Sequence, residues 1–199
     1  LGRDAGISSW VSVMREPIII QGGMGAGISG WPLARAVSRL GQLGVVSGTA
    51  LDAILARRLQ MGDPEGHLRR ALAQFPSSAV ASRALKAHFV SGGKSPEGPF
   101  RGVPIFTASP TIAQQELAVI AGFVEVWLAK EGHAGLVGIN FLEKIQLPLL
   151  PTLYGALLAG VDYVLVGAGI PREIPGALDQ LARHESVSIR LHVEGVRGD

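Results

Sequence analysis

The 199-residue chain contains no cysteine. That excludes disulfides and thiolate metal sites, and it fits a reducing, cytoplasmic compartment. Charge of either sign is sparse. The 18 Lys and Arg against 16 Asp and Glu leave a net charge of +2, and no block of basic residues occurs. A nucleic-acid partner is therefore not expected. An uninterrupted membrane-length apolar run is missing too. The most apolar stretch, 147–170, is broken by Pro148, Pro151, Asp162 and several glycines. It parses as a helix, Gly160 and a strand rather than as a span. Arg3, Asp4, Arg15 and Glu16 break up the start, which does not read as a signal peptide. His67, His88, His184 and His192 are scattered, without metal-ligand spacing.

What the chain does have is glycine, 27 residues of it, beside 12 prolines with no fixed period. Collagen-like and disordered classes are thereby excluded. A hydrophobic fraction of 47% suffices for a sizeable core in one domain spanning 1–199. The chain is organised around residues 17–30. A β-branched run, Pro17-Ile18-Ile19-Ile20, ends at Gln21, and glycines follow at positions 22, 23, 25, 27 and 30. The run reads as a buried strand. The glycines let the backbone turn sharply and let a flat or charged ligand approach the N–H groups. Trp31-Pro32 then opens a helix, since proline suits a first helical turn.

Further along, a helix is expected over 32–40, with Leu33, Val37 and Leu40 on its buried face. A second strand at 45–47 ends at Gly48-Thr49. The alternation then stops. Residues 52–132 show helical periodicity at 50–60, 67–75, 78–90 and 111–130, with a loop over 91–110. A helical insertion of about 80 residues exceeds an ordinary crossover. Strands three and four are read at 136–141 and 163–166, with helices at 151–159 and 171–183. A fifth strand is read at 187–193.

Gly25-Ala26-Gly27-Ile28-Ser29-Gly30 matches Gly-x-Gly-x-x-Gly, the dinucleotide fingerprint. Two features oppose that reading. Trp31 precedes proline, so the helix begins only after Gly30. Strand two ends Val45-Val46-Ser47-Gly48-Thr49, with no acid for a ribose. The strand ends are more informative. Gln21-Gly22-Gly23-Met24-Gly25, Ser47-Gly48-Thr49, Asn140-Phe141 and Gly167-Ala168-Gly169 all place small or polar residues after a strand. In a β/α barrel those ends line the active site. Gly132-His133-Ala134-Gly135 precedes strand three, which puts His133 at the opposite, stability face. Lys144, just after strand three, could reach a cofactor phosphate or simply lie in solvent.

Three segments carry a resemblance: Pro17-Ile18-Ile19-Ile20-Gln21-Gly22-Gly23-Met24-Gly25, Gly138-Ile139-Asn140-Phe141 and Val166-Gly167-Ala168-Gly169-Ile170-Pro171. Together they resemble the nitronate monooxygenase (2-nitropropane dioxygenase) family and the related flavin-dependent enoyl-ACP reductases. The resemblance implies an FMN-containing (β/α)8 TIM barrel. It also implies oxidation of an alkyl nitronate with O2 to a carbonyl compound and nitrite. The alternative activity is enoyl-thioester reduction with NAD(P)H and FMN, and a non-catalytic α/β fragment is the alternative of another class. By the same resemblance, Gly22, Gly23, Met24 and Gly25 lie against the flavin ring, with Ser47 and Gly48 at the second strand end. Asn140 contacts the ring or ribityl chain, and Gly167, Ala168 and Gly169 form the opposite floor. The family's catalytic histidine segment and phosphate-binding loops have no match here. An eight-stranded barrel takes about 250 residues. The chain is thus expected to be the N-terminal portion of a longer protein. It should fold as an open sheet of about five parallel strands with one unpaired edge.

Overall fold

The computed structural model describes residues 16–191. Within them the chain is an α/β fold with three parallel strands and seven helices. Helix α1 (Trp31–Arg39) leads to β1 (Gly44–Ser47), and four helices follow before the next strand. These are α2 (Leu51–Gln60), α3 (His67–Leu72), α4 (Ser78–His88) and α5 (Ile112–Lys130). Then come β2 (Val137–Leu142), α6 (Leu149–Leu158), β3 (Tyr163–Gly167) and α7 (Ile174–Ala182). The sheet order is β1-β2-β3, with Ser47 opposite Asn140 and Asn140 opposite Leu165. All the strand C-termini therefore meet along one rim.

The expected fold is corrected at both ends of the sheet: among the described residues three strands form, not five. Residues 17–21 do not make a buried strand. They contribute one parallel bridge, Ile20 to Leu43, and Ile18, Ile19 and Ile20 are 91%, 61% and 55% exposed. Two backbone bonds, Gln21 N–H to Leu43 O and Leu43 N–H to Ile19 O, are extended by side chains. Gln42 Oε1 accepts from the Ile18 and Ile19 N–H groups, and Gln21 Oε1 accepts from Val45 N–H. At the other end, residues 187–191 form no strand, because Arg190 N–H donates to the Glu173 side chain instead of to β3. Residues 192–193 of that expected strand, with His192, lie outside the described residues.

Helix α5 sits at the centre. Thr111 and Gln114 cap it reciprocally, a pairing that satisfies two orphan N–H groups. It packs against α1, α2, α3, α4 and α6, so Leu117, Ile120, Phe123, Val124 and Leu128 are all buried. This helix is long and apolar enough to span a membrane, yet 61% of its apolar window is buried inside the fold. Its crossing with α6 is close. A Cβ at Gly122 would overlap Thr152 O, and one at Gly155 would overlap Val119 O. The helical run between β1 and β2 is thus part of the main core.

The face of α1 is also corrected. Leu33 and Leu40 are exposed, whereas Ala34 and Ser38 are buried. The reason is closeness. Gly44 approaches the Ala34 carbonyl and Gly135 the Ser38 carbonyl, with no room for a Cβ at either glycine. Ser38 Oγ also donates to Leu136 O at 2.6 Å. Where helix backbone and strand lie this near, small side chains face inward.

Candidate functional site

The Gly-rich loop folds back over the end of β1 and β2. Gly23 adopts φ 63°, a conformation that favours glycine. A Cβ there would run into Val45 Cγ1 and lie 3.0 Å from Asn140 Cβ. Asn140 is buried, and its Nδ2 donates to Gly22 O at 3.1 Å and to Met24 Sδ at 3.0 Å. Its carbonyl accepts from Gly48 N–H at 2.8 Å. Gly48 in turn lies under the Phe141 ring, whose Cε1 is 2.6 Å from where a Cβ would sit. Gly22, Gly23, Met24, Gly48 and Asn140 are thus in contact, and Ser47 pairs with Asn140 in the sheet register. Gly25 begins the next turn, its carbonyl accepting from Ile28 and Ser29 N–H.

Gly167, Ala168 and Gly169 stand at the same rim, at the end of β3. Gly167 O accepts from Glu143 N–H at 2.8 Å, and Gly169 packs on the Glu143 side chain. Ala168 takes φ 60°, an uncommon backbone region for a residue with a Cβ. Their link to Asn140 runs through the β2–β3 pairing, not through direct side-chain contact. Met24 is 58% exposed and Ile170 73% exposed, so apolar groups stand open along this edge.

Two of the larger cavities among the described residues lie elsewhere, and a third opens at the β3 end of the rim. One of about 610 Å³ sits among the 106–110 loop, α6 and α7, lined by Phe106, Leu150, Tyr154 and His184. One of about 460 Å³ lies between α4 and α5. One of about 280 Å³ opens beside β3, at Glu143, Val166 and Ile170. None of the three is lined by Gly23 or Asn140. At the rim Gly22, Met24 and Gly25 are exposed, whereas Gly23, Ser47, Gly48 and Asn140 are buried beneath them.

Two residues outside the sequence expectations set the loop. Gln21 bridges it to the sheet, accepting from Val45 N–H and donating from Nε2 to Ser29 Oγ at 3.0 Å. Glu125, on α5, accepts from Trp31 N–H at 2.7 Å through Oε1 and from Arg58 Nη1 at 2.9 Å through Oε2. It is 4% exposed. Burial pushes its carboxyl above the usual carboxylate range; the Arg58 charge and the Trp31 and Arg58 hydrogen bonds oppose that rise. The α1 N-terminus, where a Rossmann fold seats a pyrophosphate, is thus occupied by the protein's own carboxylate. That disfavours the dinucleotide reading of the glycine pattern. One signal was present in the sequence: Glu125 is the lone charge between Ala118 and Ala129.

His133 is structural. Its Nδ1 accepts from Gly135 N–H at 3.0 Å and its Nε2 faces Ala129 O at 2.7 Å. It lies before β2, away from the rim. Lys144 is exposed on the turn after β2. No group of three or more His, Cys, Asp or Glu side chains is arranged to hold a metal among the described residues.

Fold and rim define an α/β protein whose parallel strands deliver glycines and one buried amide to a common edge. No family model matches the chain, and no curated protein or solved structure matches it.

Proposed function

We propose that this chain builds the flavin-ring side of an FMN-dependent oxidoreductase of the nitronate monooxygenase type, on a β/α barrel plan. The observation that carries the reading is the seating of Gly22, Gly23 and Met24 on Asn140 at the C-terminal rim of parallel strands. In α/β folds ligands bind at that end of the strands.

The residues fit the ring. Gly23 and Gly48 are buried, packed where a Cβ would collide with Val45 or Phe141, so the loop lies close on the strand ends and its exposed residues Gly22, Met24 and Gly25 would face the ring. N–H groups of the Gly-rich loop are the donors that would orient a ring edge, with the loop held in place by the Asn140 amide on Gly22 O and Met24 Sδ. The residues do not offer the FMN phosphate the α1 N-terminus, which Glu125 fills. When bound, FMN supplies the electron transfer between a small alkyl nitronate and O2. The exposed Met24 and Ile170 supply an apolar border for the substrate's alkyl chain.

The experiment is FMN titration followed by turnover. Uptake of FMN is the expected result for this chain; O2 consumption with nitrite release from an alkyl nitronate is expected only where the histidine and phosphate-binding segments that have no match here are supplied. NADH oxidation driven by a crotonyl thioester, without nitronate turnover, would transfer the assignment to an enoyl-thioester reductase. A colourless protein that takes up no FMN would leave a non-catalytic α/β domain.

A further inference from the structure

We infer that Glu125 is a positioning residue for the Gly-rich loop: from the central helix α5 it fixes where residues 22–30 stand on the sheet. The inference rests on the flavin reading for its functional consequence and on geometry alone for its structural one.

Pro32 has no N–H, and Trp31 N–H is left as the donor at the helix entrance. Gly30 precedes it without any side-chain cap of its own. The acceptor comes instead from 94 residues away, as Glu125 Oε1 at 2.7 Å. Gly30 leaves the space for it, since a Cβ there would stand 3.0 Å from that same oxygen. The second oxygen is held by Arg58 on α2. A buried carboxylate needs both partners, because an unpaired charge in a core is costly.

The loop's exit is pinned from the opposite side as well. Ser47 N–H donates to Ser29 O at 2.8 Å, and Gln21 Nε2 donates to Ser29 Oγ. Ser29 and Ile28 close the turn on Gly25 O, and the next residue back is Met24, on Asn140. The segment from Met24 to Trp31 is therefore held at separate points along the backbone: Met24 by Asn140, Ile28 and Ser29 by Gly25 O, Ser29 O by Ser47 N–H, and Trp31 N–H by Glu125. The Glu125 contact fixes the exit end of that segment. The four helices between β1 and β2 thereby gain a role at the rim, because α2 carries Arg58 and α5 carries Glu125.

The test uses the full chain. Glu125→Asp keeps the charge but draws the oxygen back from Trp31 N–H, whereas Glu125→Gln keeps an oxygen at full reach. Hydrogen exchange at the Trp31 amide and FMN affinity by fluorescence are measured on the folded fraction of each. We expect Glu125→Asp to speed Trp31 exchange and to weaken FMN about tenfold, the scale of one charge-assisted hydrogen bond. Glu125→Gln sets its NH2 against Arg58 Nη1, so it is made together with Arg58→Ala, and that pair should restore both to within about threefold of the unmutated chain. FMN affinity unchanged in Glu125→Asp would overturn the inference and leave a helix cap only, whatever the melting temperature. Fast Trp31 exchange in the unmutated chain would overturn it too, even if neither variant folds. The exchange arm needs no ligand. An unmutated chain that ignores FMN but protects Trp31 would remove the flavin reading and keep the geometric claim.

Discussion

Gly23 is the residue at which the proposed site is most exposed to a single change. Its φ of 63° and the Val45 side chain beneath it leave no place for a methyl group. Gly23→Ala combines left-handed backbone strain of about 1–2 kcal/mol with an overlap that must push the loop off the sheet. FMN uptake should be lost and the thermal midpoint should fall. Gly102→Ala is the control, since a Cβ there meets nothing within 4 Å; its titration and melt should match the unmutated chain. Asn140 makes a complementary case. Its Nδ2 donates to Gly22 O, and Asn140→Asp replaces that donor with an oxygen, so two acceptors face each other. The Gly22 carbonyl, on an exposed residue, then loses its partner, at about 0.5–1.5 kcal/mol for one hydrogen bond. Weaker FMN binding with a modest loss of stability is the expected pair of readings. Unchanged FMN affinity would mean that the amide does not shape the loop.

At the scale of elements, the fold depends on how closely backbones approach. Gly155 on α6 lies against Val119 O, and Gly122 on α5 against Thr152 O. Gly155→Ala should separate the two helices and cost about 1–3 kcal/mol, the usual range for overpacking a tight core, read as a lower urea midpoint. A variant as stable as the parent would show that the crossing can relax. The same closeness explains what the sequence disclosed and what it hid. The helices were legible, because α5 repeats apolar residues at helical spacing and α2, α4, α6 and α7 lie between clear breaks. The buried face of α1 was not legible. Periodicity favours the large residues Leu33 and Leu40, but Gly44 and Gly135 press against the helix and turn Ala34 and Ser38 inward. Strand 17–21 misled for a different reason. An Ile-Ile-Ile run reads as buried only where strands flank it on both sides, and here one neighbour meets it. The rim glycines and Asn140 could be read off the strand ends. Glu125 and Gln21 could not be placed, since their partners lie 94 and 24 residues away.

For the whole molecule, acid and association are the two stresses the structure addresses. Glu131 accepts from Arg70 at 2.6 and 2.8 Å, and that pairing holds its carboxyl below the usual carboxylate range. A lowered folded-state value stabilises the fold above the unfolded-state value and loses that contribution as pH falls through the folded one. Glu125 has the opposite sign: burial raises its value, so its ionisation opposes folding as pH rises. Arg70→Ala should therefore flatten the acid side of the stability profile slightly, since a surface ion pair is worth little and Arg35 still faces Glu131. An unchanged acid limb in pH-dependent melts would rule the pair out as a contributor. Association follows from the edge at Ile18, Ile19 and Ile20. On one side the segment meets Leu43 and Gln42; among the described residues no strand pairs with its other side. An open strand edge bearing β-branched side chains invites pairing with another chain. Ile18 is 91% exposed and makes no core contact that a charge would disturb. Ile18→Lys should thus shift the chain toward smaller species in concentration-dependent size-exclusion runs and leave FMN affinity unaltered, because Gly23 and Asn140 are untouched. Association that persists unchanged in Ile18→Lys would place the contact elsewhere on the surface. Association and FMN affinity falling together would instead show that the isoleucine edge and the glycine rim move as one body.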